Sequence, residues 1–163
     1  MIEMTYKILI VFYFSLLAFS CVKKKTEYPK DFSFKINEGT SEYNSITGEY
    51  TRKYIGKDSS VNGLLNKEEL QIIYTLIENQ NFNDFPEKFE CSQYGSFTMP
   101  SFSTTLEVIV NGKLKKSINT SYCDSKVQQK MSDRFEKIVL EIRRILDSKK
   151  EIKNMRPCDI VFM

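Results

Sequence analysis

Any chemistry in this chain has to be done without histidine, because the sequence contains none. That absence removes Ser–His–Asp triads, Cys–His dyads and every zinc site that needs an imidazole. Four cysteines remain, Cys21, Cys91, Cys123 and Cys158. Their long spacings make no metal site, and a cysteine nucleophile would lack its usual base. Glu68 and Glu69 are adjacent carboxylates, but they open a helical pattern, where acids serve the dipole and the cap. No glycine-rich phosphate loop and no G-x-S-x-G elbow occurs. The sequence therefore predicts a non-enzyme, with no catalytic residue, no metal and no cofactor. One polar constellation stands out. In "YTRKY", Tyr50, Arg52 and Tyr54 share one face of a strand, with Thr51 and Lys53 on the other. That is a candidate aromatic-basic binding face; a solvated strand face is the plainer alternative.

The formal charge is +3 and the two signs are interspersed along the chain. Obligate binding to nucleic acid needs a concentrated basic face, so no nucleic-acid partner is expected. At 163 residues the chain is long enough for one domain with one modest core.

Residues 8–20, "ILIVFYFSLLAFS", form an unbroken run of apolar and small side chains, which stops at Cys21. As a helix the run reaches about 20 Å, short of the roughly 30 Å hydrocarbon core. It has instead the length of a signal-peptide apolar region. Ala18 and Ser20 are small, as a signal peptidase requires, although bulky Phe19 lies between them. With Cys21 following, "LAFSC" resembles the lipobox of bacterial lipoproteins. The resemblance implies cleavage after residue 20 and lipidation of the Cys21 thiol. A plain secreted protein and an uncleaved anchor are the alternatives. Two or three acyl chains, at about 0.8 kcal/mol per buried methylene, hold a protein durably at a bilayer. Lys23, Lys24 and Lys25 then begin a polar tether, residues 21–31, beside the headgroups. The expected location is the cell membrane or outer membrane, lipid-anchored, with the domain outside the cytoplasm.

Export permits disulfides. With Cys21 lipidated, three cysteines remain. Cys91 and Cys123 flank a predicted hairpin and are the expected pair, closing a loop of about thirty residues worth about 3–4 kcal/mol. Cys158 is then free, or takes the place of Cys91.

The elements that must position these groups are read from periodicity. "DFSFKINEG" alternates as a half-buried strand, "GTSEYNS" reads as a loop, and "ITGEYTRKYI" as a second strand. "NKEEL" opens a helix with Asn66 as cap and Glu69 completing a box. Leu70, Ile73, Tyr74 and Ile77 form its apolar stripe. "NFNDFPEKF" gathers Phe82, Phe85 and Phe89 about a turn. "STTLEVIV" and "KLKKSI" make a hairpin through Asn111-Gly112. An odd-length loop would put Leu106 and Val108 on one face with Leu114 and Ile118, and is expected over the two-residue turn for that reason. Ser125 is the expected cap of a long helix striped by Val127, Met131, Phe135, Ile138, Ile142 and Ile145. The expected fold is α+β, a small antiparallel sheet covered on one face by two helices. Its element order is ββαββα, a two-layer sandwich, in one domain spanning residues 32–150. A tail, residues 151–163, docks on it.

The segment from Glu42 to Phe89 resembles a family of bacterial exported proteins and lipoproteins that carries no assigned activity. The motifs are "YNSITGEYT", "LNKEELQIIY" and "FNDFP". What the resemblance implies is a stand-alone exported domain. The functional expectation is a membrane-anchored envelope lipoprotein, a non-catalytic module binding a protein or envelope component. An immunity or inhibitor lipoprotein and a small histidine-independent hydrolase or lyase are the alternatives.

Overall fold

The computed structural model describes residues 27–89, 103–120 and 128–160. Six antiparallel strands form one sheet: β1 Ser33–Asn37, β2 Ser41–Asn44, β3 Glu49–Arg52, β4 Ser59–Asn62, β5 Ser103–Val110 and β6 Lys113–Thr120. Their spatial order is β4-β3-β2-β1-β5-β6. The helices are α1 Lys67–Asn79, α2 Gln129–Asp147 and the short α3 Lys150–Lys153, with a single 3-10 turn at Phe82–Asp84. Four strands precede the first helix, so the expected ββαββα order is corrected to ββββαββα with α3 appended.

The difference lies in two four-residue strands. β2 sits inside the presumed loop and buries only Tyr43. β4 offers only Val61 to the core. Both are held by pairing with β3 rather than by their own alternation. Gly39, at φ 82°, and Gly48, at φ 71°, close the turns that fold the meander. Left-handed backbone of this kind costs a side-chain-bearing residue about 1–2 kcal/mol.

Alternation along the strands places Phe34, Ile36, Tyr43, Tyr50, Leu106 and Val108 in a single core cluster with α1 and α2 residues. α1 buries Ile73, Tyr74 and Ile77, and its cap is the expected box: Glu69 N–H donates to Asn66 Oδ1 at 2.9 Å, and Asn66 N–H donates to Glu69 Oε2 at 2.8 Å. α2 buries Phe135, Ile138, Ile142 and Ile145 of the expected stripe, with Val139 and Leu146 beside them. Ser125 and Val127 lie outside the described residues.

The second hairpin takes the two-residue turn, contrary to expectation. Val110 pairs with Lys113, and Asn111 and Gly112 have φ of 52° and 70°, both positive as a type I′ turn requires. Lys115, Ser117 and Asn119 therefore face the core side with Leu106 and Val108, while Leu114 is 63% exposed. Hydrogen bonds relieve the cost of this polar face. The Lys115 ammonium donates to Phe85 O at 2.6 Å, the Ser117 hydroxyl to Pro86 O at 2.8 Å, and Asn119 Nδ2 to Ser132 Oγ at 3.0 Å. The acceptors on Phe85 and Pro86 come from the chain after α1, which runs along β6. Phe89 N–H donates to Ile118 O and Ile118 N–H to Glu87 O, both at 2.9 Å, around a parallel bridge between Lys88 and Ile118. The outer edge of β6 is thus partly covered, and Phe82, Phe85 and Phe89 pack with Phe135, at ring separations of 5.4 to 6.2 Å.

Among the described residues, contacts to the domain are already made at Tyr28, within the segment read as tether. Its N–H donates to Gln71 Oε1 at 3.1 Å, and Asp31 Oδ2 accepts from Gly112 N–H at 2.5 Å. Among the described residues no helix is long and apolar enough to cross a membrane. The leader and Cys21 lie outside the described residues.

Candidate functional site

Tyr50, Arg52 and Tyr54 are brought together at the end of β3, as the alternation predicts. Tyr50 and Tyr54 are buried, at 8% and 5% exposure, while Arg52 is half-buried. What they face is the chain's own C-terminal segment, residues 155–159. Arg52 donates from one guanidinium nitrogen to two consecutive carbonyls, Met155 O at 3.3 Å and Arg156 O at 2.9 Å. Its other terminal nitrogen donates to Tyr50 Oη at 3.3 Å. The Tyr54 hydroxyl adds a bond to Arg156 O at 2.7 Å. Burial is the largest single influence and works against the Arg52 charge, but Tyr50 and Tyr54 together more than offset it, and the guanidinium is held above its ordinary pKa.

Further contacts come from the strap itself. The Arg156 guanidinium lies 4.0 Å from the Tyr54 ring centre. Asp159 Oδ1 accepts from Ile55 N–H at 2.8 Å, and the Cys158 thiol donates to Lys53 O at 3.3 Å. Pro157 explains why the strap is read by side chains rather than added as a strand. It has no N–H for a ladder, and it biases Arg156 to extended backbone. Ile152 on α3 is fully buried and Met155 packs on the core, but from Arg156 to Asp159 the hold is polar. Residues 161–163 lie outside the described residues.

The energetics of this hold are shallow. Net hydrogen bonds contribute about 0.5–1.5 kcal/mol each, or about 1.5–3 kcal/mol where one partner is charged, as at Arg52 and Asp159, and an exposed cation–π contact about 0.5–1 kcal/mol. Ordering each backbone residue costs about 1–2 kcal/mol. Over residues 156–159 the two sides nearly cancel, whereas Ile152 at their base is fully buried.

Among the described residues, several other chemistry-bearing groups make structural contacts. Glu69 caps α1 and also takes the Lys149 ammonium at 2.6 Å, joining α1 to the α2–α3 junction. A depression of about 200 Å³ on the polar sheet face is lined by Lys35, Asn37, Glu42, Thr105, Glu107 and Lys116. Within it Lys116 pairs with Glu107 at 3.2 Å. Glu136 is half-buried between α2 and β6 and accepts from Asn119 Nδ2 at 3.3 Å. Burial foremost raises its carboxyl above the ordinary glutamate pKa, with Arg143 opposing, Glu38 reinforcing and the Asn119 bond opposing. Among the described residues no cluster of three or more acidic or thiol groups could hold a metal. Cys158 is a free thiol, and Cys91 and Cys123 lie outside the described residues.

Sequence reasoning missed Arg156 and Asp159. "RPCD" carries no periodic signal, and its partners stand 104 positions away. No protein-family model matches the chain, and none of the curated proteins matches it.

Proposed function

We propose that the chain is a lipid-anchored lipoprotein of the cell envelope, at the cell membrane or outer membrane, whose α+β domain is a non-catalytic module for binding a protein or another envelope component. The observation that carries this reading is the apolar run of residues 8–20 ending at "LAFSC", with Lys23, Lys24 and Lys25 just beyond. A short tether is consistent with it. Seven residue steps separate Cys21 from Tyr28, which already touches the domain. Fully extended they span roughly 25 Å, which keeps the domain near the headgroups. In this reading α1 and α2 form one layer and the sheet the other, with Lys35, Glu42, Thr51 and Glu107 on the sheet's uncovered polar face.

Two pieces of chain geometry favour a Cys91–Cys123 bridge. Lys88 and Ile118 are paired in parallel, so both chains leave that bridge side by side in the same direction. Cys91 follows Lys88 by three residues and Cys123 follows Ile118 by five.

Labelling cells with radioactive palmitate tests the anchor. Label is expected in the wild-type chain and lost in Cys21→Ala; equal labelling of the two refutes lipidation at this residue.

A further inference from the structure

The surface at Tyr50, Arg52 and Tyr54 already holds a peptide, and it holds it in a way that another peptide could share. Two of its groups read main-chain carbonyls, which every peptide has: Arg52 takes those of Met155 and Arg156, and Tyr54 takes Arg156 O again. Two further features select side chains. The Tyr54 ring takes a cation above it, and the Ile55 N–H donates to a carboxylate three residues further along, which also stands 3.4 Å from that cation. We propose that this surface is a recognition site for an extended peptide with a basic residue followed three positions later by an acidic one. The chain's own C-terminal strap occupies the site as a resident pseudo-ligand.

The inference rests on reading the domain as a binding module, and it names the chemistry of the partner. The strap is suited to give way. Its base is fixed by Ile152, buried under Gly63, and its distal half is polar, with Arg156 and Pro157 exposed. Release leaves Arg52 and Tyr54 in place, since both belong to the β3 end of the sheet. A competing peptide therefore meets a preformed surface, at an apparent affinity reduced by the fraction of time the strap is closed.

The test uses the full chain in detergent and a fluorescent peptide of residues 154–160 carrying Cys158→Ser. The chain variant Arg156→Ala/Asp159→Ala weakens the strap and is expected to bind the peptide at least tenfold more tightly than wild type. Adding Arg52→Ala to that variant should abolish the gain. Tyr54→Phe, which removes only the hydroxyl, should reduce it and serves if Arg52→Ala does not fold. A peptide with both charged residues replaced by alanine should bind at least tenfold more weakly. Equal affinity for wild-type and weakened chains, indifference to the peptide's charges, or no binding at all would overturn the inference. Concentration-dependent dimers of wild-type chain that the peptide dissolves would show that the competing segment is a second copy's tail, which also overturns the pseudo-ligand account. Crosslinking in cells addresses the broader reading separately. A captured partner whose capture ignores the strap variants removes this site and leaves the binding module. Peptide binding with no envelope partner captured does the reverse.

Discussion

Gly63 and Ile152 give the sharpest quantitative test of how the strap is based. Gly63 follows β4, donates to Gly48 O at 2.7 Å, and offers its carbonyl to the Tyr43 hydroxyl at 3.2 Å. A Cβ placed there would lie 2.7 Å from Ile152 Cδ1 and 3.4 Å from Ile152 Cγ1. Gly63 has no left-handed backbone to protect, so alanine incurs no conformational strain. It would in fact stabilise by about 0.4–1 kcal/mol through the unfolded chain. The whole penalty of Gly63→Ala is therefore steric, and overpacking costs about 1–3 kcal/mol. Ile152 is fully buried, so Ile152→Val alone should cost about 0.5–1.5 kcal/mol. Valine lacks Cδ1, and the next contact is of ordinary length. The double variant should then be no less stable than Ile152→Val, giving a favourable coupling of at least about 1 kcal/mol. Urea unfolding followed by far-ultraviolet circular dichroism measures it, since the chain has no tryptophan. Additivity within about 0.5 kcal/mol would refute the reasoning, because distant, uncoupled sites behave that way.

Three further outcomes are expected. Glu136→Gln should raise the melting temperature most at neutral pH. A carboxyl whose folded pKa is raised binds its proton more tightly in the folded state, so the wild type loses stability as pH rises from the ordinary glutamate value through the raised one. The gap should close below that window in a pH series of thermal melts; a gap of opposite sign, or one independent of pH, contradicts the burial of this group among Asn119, Ser132, Arg143 and Glu38. Asn66→Ala should cost about 0.5–2 kcal/mol in urea unfolding, because the box loses its side-chain acceptor. Non-reducing peptide mapping should recover Cys91 joined to Cys123, and a bridge containing Cys158 would refute that pairing.

The sequence disclosed the features that depend on neighbours three or four residues apart. The Asn66–Glu69 box and the stripes on α1 and α2 are local, and their residues have no competing use. It disclosed less where partners are remote. In β2 and β4 a single apolar side chain faces the core, which leaves no alternation to detect, and their pairing with β3 supplies the order instead. The β5–β6 turn shows two principles in competition. Gathering Leu114 and Ile118 with Leu106 and Val108 would have favoured an odd loop. Asn111-Gly112 suits a two-residue turn, and Phe85 O, Pro86 O and Ser132 Oγ, all remote in sequence, make its polar inner face affordable. At the candidate site, the shared face of Tyr50, Arg52 and Tyr54 was legible because strand period is local. That their ligand is residues 155–159 was not, for the reason that hid β4.

The distribution of charge sharpens what the binding face can be. Glu38 is engaged with Arg143, Glu69 with Lys149, Glu107 with Lys116 and Glu141 with Arg144. Exposed pairs of this kind contribute about 0–1 kcal/mol each, but Glu69 and Lys149 are only 18% and 17% exposed and bind elements 80 positions apart. Such pairs fix the sheet and helices in one arrangement while using the groups they contain. Arg52 is engaged differently. Among the described residues its guanidinium meets no carboxylate; it meets main-chain carbonyls and a tyrosine oxygen. Carbonyl acceptors carry partial charge only, so exchanging one peptide for another there requires no buried charge to be left uncompensated, whereas breaking Glu69 from Lys149 would. On the peptide-site proposal, a framework secured by ion pairs, with a cation engaged by neutral backbone at one corner, keeps its shape while that corner changes partners.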